Sequence, residues 1–399
     1  MSQPTGAETT GRYLVLLEDK SVAAGAREMN RVAGISAAST ADNASSEELA
    51  AADGLIFQDL GIAVVDATPD QVSQLTRAAE APGPISVVEA ERVVHAISAP
   101  PEAGTDQAAA PAVDESVFTW GLQAVGANLS SATGKGVRIA VLDTGFTVAH
   151  PDFAGRVVMT QSFITGETVD DAHGHGTHCI GSAAGPRQQG KVPGYGVAYE
   201  AEIYAGKVLS NKGSGTDSGI LAGIEWAMAN GCAVISMSLG AAVRPGTPHS
   251  QIFEQAAMRA MAKGTLIIAA AGNESNRPGT IAPVGHPANC PSILSVGAID
   301  VQRAIAFFSC GTVDTVGQVD LVGPGVDIYS SWNKEDGSLG MHKRIQGTSM
   351  ATPHVAGVAA LVAEKYGARG WELWARLSQT ARRLGLPSTD VGAGLVQAP

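Results

Sequence analysis

A chain of 399 residues is long enough for one large domain and a small companion. Its 45 % apolar and 16 % charged residues, with 48 glycines, describe a well-buried globular protein full of tight turns and exclude a disordered one. A net charge of −12 with no basic block argues against a nucleic-acid partner, and no apolar run is long enough to span a bilayer.

The first residues lack both a basic n-region and an apolar h-region, so no secretory signal is expected. On that reading the protein stays inside, leaves by another route, or has lost a leader by trimming. Residues 12–17 read as a strand and residues 21–32 as a helix. Residues 61–67 form a second strand, with a short apolar run at 55–57 before it. Thr68-Pro69-Asp70-Gln71 is a helix start, threonine as cap and proline in the first position, with the helix ending near Ala79. Residues 85–94 are a last strand. The order β-α-β-α-β predicts a small α+β domain over residues 1–97. Residues 98–116 then turn to Ala, Pro, Gly, Thr and Asp, an exposed and cleavable linker.

In residues 117–399 the pattern becomes strand, loop, helix. Near-continuous apolar runs at 137–143, 202–209, 233–239, 265–271 and 293–299 suit buried parallel strands. Helical stretches at 218–229 and 251–262 lie between them. The alternation predicts a doubly wound α/β domain, a mostly parallel sheet with helices on both faces. In such sheets the site lies beyond the carboxyl ends of the strands.

Gly347-Thr-Ser-Met-Ala-Thr-Pro-His-Val-Ala-Gly357 is a small-residue turn entering a helix. Pro353 requires a nearby helix start, and Val355, Val358, Leu361 and Val362 follow at helical spacing. Ser349 therefore faces free N–H groups and the positive end of the helix dipole, a setting for a nucleophile; a serine N-cap is the bland alternative. The first apolar run ends in Asp143-Thr144-Gly145, and an acid at a strand tip can orient a histidine. The run His173-Gly-His175-Gly-Thr-His178 suggests a metal, but no HExxH spacing supports zinc. None of the four cysteines lies in a CxxC pair. Cys290 and Cys310 are the one pair worth considering, and Cys179 and Cys232 read as buried thiols. Gly213-Ser-Gly215-Thr-Asp-Ser-Gly219 imitates a dinucleotide loop, but its last glycine is one place late.

Asp143, His175 and Ser349, in that chain order, resemble the three signature segments of the subtilisin-like serine peptidases. The resemblance covers roughly residues 118–399. It implies that Ser349 attacks a peptide carbonyl, His175 moves the proton and Asp143 orients the imidazole. It makes Asn273 the oxyanion donor alongside the Ser349 N–H. Gly213, Ser214 and Gly215, with Ser238, Leu239 and Gly240, become the segments that pair with an extended substrate. Gly285 becomes the floor of a roomy pocket for a large apolar P1 residue, and Glu274 a rim able to tolerate a basic one. Asp152 and Asp320 match cation ligands, which leaves room for structural calcium, although the loop at 185–191 is basic and lacks the expected asparagine. Cys179 beside His178 resembles the proteinase K subgroup. No cofactor is implied for the chemistry.

The same resemblance makes residues 1–97 a propeptide, clearest at 88–97, that assists folding and inhibits the enzyme. Cleavage is expected after Ile97 or within the linker to about Glu115. Protein or peptide substrates, a monomer and secretion are implied, although the missing leader points to the cytoplasm or non-classical export. A dedicated processing peptidase with one narrow target is the alternative reading, and a catalytically silent binding protein a third.

Overall fold

The structure is a computed structural model that describes residues 8–18, 22–41, 52–97, 99, 113–187, 193–334, 336–337 and 340–399. Most of the expected linker, and much of the loop at 185–191, lies outside these residues.

Among the described residues, the N-terminal part is a sheet with two helices. Its strands are β1 (Thr9–Leu17), β2 (Ala37–Ser39), β3 (Gly54–Phe57), β4 (Ile62–Val65) and β5 (Ile85–Ala96), in the order β5-β1-β4-β3-β2. All neighbours are antiparallel except β2 and β3. The helix Pro69–Ala79 starts as the sequence predicts, with Thr68 and Gln71 capping each other reciprocally. The first helix, Val22–Ala33, is also close to expectation. Strand β2 has no strand signature because its three residues are all small.

Alternation along β1 divides its side chains between two cores. Val15 and Leu17 pack with Met29, Ile35 and Leu75 inside the small domain. Leu14 and Leu16 belong to the main core instead. The sheet is therefore buried on both faces, one under its own helices and one against the large domain.

That domain is built on seven parallel strands: β6 (Arg138–Asp143), β7 (Val158–Ser162), β8 (Glu202–Lys207), β10 (Val234–Met237), β12 (Leu266–Ala270), β13 (Leu294–Ile299) and β14 (Leu321–Pro324). They run β14-β13-β12-β10-β6-β8-β7. The chain leaves β6 toward β8 and β7, then returns to β10 on its other side, so a switch point lies between β6 and β10. Asp143 ends β6, Ser238 follows β10 and Asn273 follows β12, so all three sit at carboxyl ends. The helices His175–Ala184 and Thr348–Tyr366 pack on each other, and Asp217–Ala229 packs on Gln251–Ala262. The doubly wound α/β reading holds. Among the described residues, no helix is long and apolar enough to cross a membrane.

Two short strands, β9 (Ser214–Thr216) and β11 (Leu239–Gly240), join neither neighbour in the main sheet. They flank the end of β5. Upstream on β5, Glu91 accepts the Ser218 N–H at 3.0 Å, and Glu89 accepts the Gln251 N–H at 2.8 Å. Both carboxylates thus meet the positive ends of helices in the large domain, a favourable placement that orients the small domain.

Candidate active site

Asp143 and His175 meet at the carboxyl edge of β6. His175 Nδ1 lies 2.7 Å from Asp143 Oδ1, which also accepts the Thr144 N–H at 2.7 Å. Both side chains are buried. Burial disfavours a charged His175 ring, but the Asp143 carboxylate outweighs it and lifts its pKa well above the ordinary imidazole. The turn that presents His175 is tied down by Asp171. That buried carboxylate accepts from Thr144 Oγ1, the N–H groups of His173, Gly174 and Thr177, and Thr177 Oγ1. His175 Nε2 is buried and has no hydrogen-bond partner.

Ser349 is the second residue of the helix Thr348–Tyr366, and Gly347 is its N-cap. Ser349 is therefore not the capping serine of the bland alternative. Gly347 has φ +152°, open to glycine, and a Cβ there would meet Asn273 Nδ2 at 2.9 Å. Pro353 sits inside the helix, deeper than its usual first-turn place. Its missing N–H leaves the Ser349 carbonyl without a helical partner, and Ser238 Oγ supplies one at 2.8 Å. Cys179 Sγ lies 3.5 Å from the same oxygen and 3.9 Å from His175 Nδ1, so one buried thiol touches both motifs. Asn273 closes the group. Its Oδ1 accepts both the N–H and the hydroxyl of Thr348 at 2.9 Å, leaving a buried Nδ2 with no partner.

The end of β5 lies in the cleft between β9 and β11. Val93, Val94 and His95 pair antiparallel with Thr216, Gly215 and Ser214. His95 and Ala96 pair with Gly240 and Leu239 on the other side. Further bonds run from the Ala96 N–H to Gly213 O at 2.8 Å and from the Ile97 N–H to Ser238 O at 3.3 Å. Beyond Ile97, the Ala99 N–H donates to Gln346 O at 3.1 Å. Ser349 Oγ donates to the carbonyl oxygen of Ile97 and to Ser238 O. Gly213, Ser214, Gly215, Ser238, Leu239 and Gly240 all border the chain's own residues 93–97.

A Cβ at Gly240 would lie 3.1 Å from Ile97 Cδ1, while one at Gly285 would meet Ala241 O at 2.9 Å and Ala271 O at 3.8 Å. Glu274 is exposed, and its Oε2 lies 3.1 Å from Cys310 Sγ. Cys290 and Cys310 are not paired, and all four cysteines are free and buried. The pseudo-dinucleotide loop is the cleft wall that includes β9.

Among the described residues, neither cation candidate gathers the oxygen ligands of a calcium site. Asp152 accepts from Tyr195 OH at 2.5 Å and lies 2.7 Å from His342 Nε2. Its other neighbour, His150, already uses both nitrogens, on the Asp152 N–H and on Met341 O. A carboxylate between two imidazoles is not the oxygen-rich set a calcium ion takes. Asp320 is buried, accepts the Ser295 N–H at 2.8 Å and belongs to no ligand cluster among the described residues. Burial pushes its carboxyl up to about 7.

Sequence reasoning missed Asp171, whose signal is an acid just before the His-Gly-His run. It named His173, Ser238 and Cys310 but not their contacts: His173 edges against the His175 ring with centroids 6.1 Å apart, Ser238 Oγ reaches Ser349 O, and Cys310 Sγ reaches Glu274.

A model of the subtilase family matches residues 134–394. Subtilisin DY of Bacillus licheniformis is 40% identical over 266 residues, 66% of this chain and 89% of that protein. Subtilisin Savinase of Lederbergia lenta is 39% identical over 287 residues, 70% and 96% of the two chains. Subtilisin E of Bacillus subtilis (strain 168) is 37% identical over 319 residues, 78% and 74%. With an acid, an imidazole and a helix-borne serine gathered at one sheet edge, the chain belongs to the subtilase family and is a subtilisin-like serine endopeptidase.

Proposed function

We propose that this peptidase is made as a self-inhibited precursor and cuts itself after Ile97. Ser349 is the nucleophile, His175 the general base and then acid, and Asp143 the group that holds the imidazole. Asn273 Nδ2 and the Ser349 N–H receive the oxyanion, and residues 1–97 act as the propeptide. The observation that carries the reading is the seating of residues 93–97 as a strand in the cleft, with the Ile97 carbonyl oxygen against Ser349 Oγ. A peptide held this way has its scissile carbonyl beside the nucleophile before reaction.

The steps follow from the groups present. Ser349 Oγ adds to the Ile97 carbonyl carbon as its proton passes to His175 Nε2, the ring nitrogen that carries no hydrogen bond in the resting chain. The oxyanion turns to the unpaired Asn273 Nδ2. The Ile97–Ser98 bond breaks as His175 returns the proton to the leaving amine, and water releases the acyl group by the same route. Backbone pairing along β9 and β11 demands little of sequence, so cleavage is broad, with a large apolar residue preferred before the bond.

The test is Ser349→Ala in the purified full chain. The variant should persist uncut, while the wild type yields a fragment ending at Ile97. Maturation of the isolated variant would assign the cut to another enzyme.

A further inference from the structure

A second feature lies five residues upstream of Ile97. Arg92 shares a face of β5 with Val94 and Ala96. Its N–H donates to Asp217 Oδ2 at 3.0 Å, and its guanidinium lies 3.7 Å from the same oxygen. The Asp217 side chain is fully buried and that of Arg92 is 20% exposed. His286 Nε2 fixes the other Asp217 oxygen at 2.9 Å. His286 is itself fixed, edge-on to Phe253 and bonded through its backbone to Ala241 in both directions.

This carboxylate is a built feature of the large domain, not of the segment seated on it. A cavity of about 590 Å³ adjoins it, lined in part by Arg92, Val243, Pro245, Glu274 and His286. Any peptide that replaces residues 92–97 must present its sixth residue before the cut to Asp217. A neutral side chain there keeps the backbone N–H bond to Asp217 but removes the positive charge beside a desolvated carboxylate, and an acidic one adds repulsion. A cation restores the contact that Arg92 makes.

We propose that Asp217, anchored by His286, is a cation-selective subsite that favours Arg or Lys at the sixth residue before the scissile bond. The inference rests on the reading that the cut follows Ile97. It names a substrate class: extended peptides with a basic residue upstream of an apolar cleavage site.

The test uses matured wild-type protein and N-acetylated hexapeptides Xaa-Val-Val-His-Ala-Ile with a reporter amine after the isoleucine, Xaa being Arg, Lys, Gln or Glu. These peptides lack Glu89, which sits 3.6 Å from Arg92 in the chain and would otherwise share the charge. The Arg and Lys peptides should exceed Gln in kcat/KM by about fivefold, the size of an ion pair open to water on one side, and Glu by more. The advantage should shrink with added salt. Asp217→Asn should bring Arg and Gln level, and Asp217→Glu should keep their order. These are ratios within one preparation, so differences in active fraction cancel. Equal rates across the wild-type series, a preference indifferent to salt, or one that survives Asp217→Asn would overturn the inference while leaving the peptidase reading intact. No release of reporter from any peptide would overturn both.

Discussion

Asn273 gives its side-chain oxygen to Thr348 twice, to the backbone N–H and to the hydroxyl, both at 2.9 Å. This fixes the orientation of the amide, because only Oδ1 can accept those two donors. The NH₂ group is left buried and unbonded at the cleft. A buried donor without a partner is costly in the resting protein and most useful when charge develops opposite it.

Replacing Asn273 by Ala should therefore lower kcat by about 10²–10³ with little change in KM. That magnitude is the one established for the equivalent donor of a subtilisin, not a value derived from this chain. Steady-state kinetics on a peptide amide checks it. A raised KM with kcat intact would show that the amide binds substrate uniformly instead.

The pH dependence follows from His175. The general base works only when neutral, and the neighbouring carboxylate holds its pKa well above the ordinary value despite burial. Activity should thus rise with pH along a limb displaced to the alkaline side of a free imidazole, about 6.5. In Asp143→Asn the limb should move down in pH while the maximum rate collapses. A profile of kcat/KM against pH measures both, and an acid limb that stays put in the variant would separate it from this pair.

Gly240 controls the space beside Ile97. A Cβ there would meet His286 O at 2.5 Å and Ile97 Cδ1 at 3.1 Å. Gly240→Ala should cut kcat/KM for substrates with a large apolar residue before the bond about tenfold more than for those with alanine, because the added methyl crowds the larger group. Two peptides differing only at that residue suffice. An unchanged ratio would move the pocket elsewhere.

Asp320 makes a prediction about stability. Its folded pKa is raised to about 7 from 3.8, so the folded protein holds this proton more tightly than the unfolded chain. The contribution is fully present below the unfolded value and is lost as pH rises toward 7. Asp320→Asn keeps an acceptor for the Ser295 N–H but cannot ionise. In the Ser349→Ala background it should match the parent near pH 4 and exceed it at pH 8, by about 4 kcal/mol as an upper bound. Denaturant midpoints at the two pH values test this. Stabilisation of the parent by calcium that disappears in Asp320→Asn would restore the cation site.

The fold class, the strand tips and the family motifs were legible in the sequence because each depends on local periodicity or on a few adjacent residues. Buried parallel strands appear as continuous apolar runs, and the segments around Asp143, His175 and Ser349 carry their own turn chemistry. The chain's end of β5 could be read as a strand, but not as one seated between β9 and β11. The partner of Glu274, the role of Ser238 Oγ behind Pro353, and the clasp of Asp217 by His286 were decided only in three dimensions. Each joins residues tens of positions apart or more, through side chains whose directions are set by packing. A sequence carries which groups are present; only the tertiary fold decides which lone pair each donor reaches.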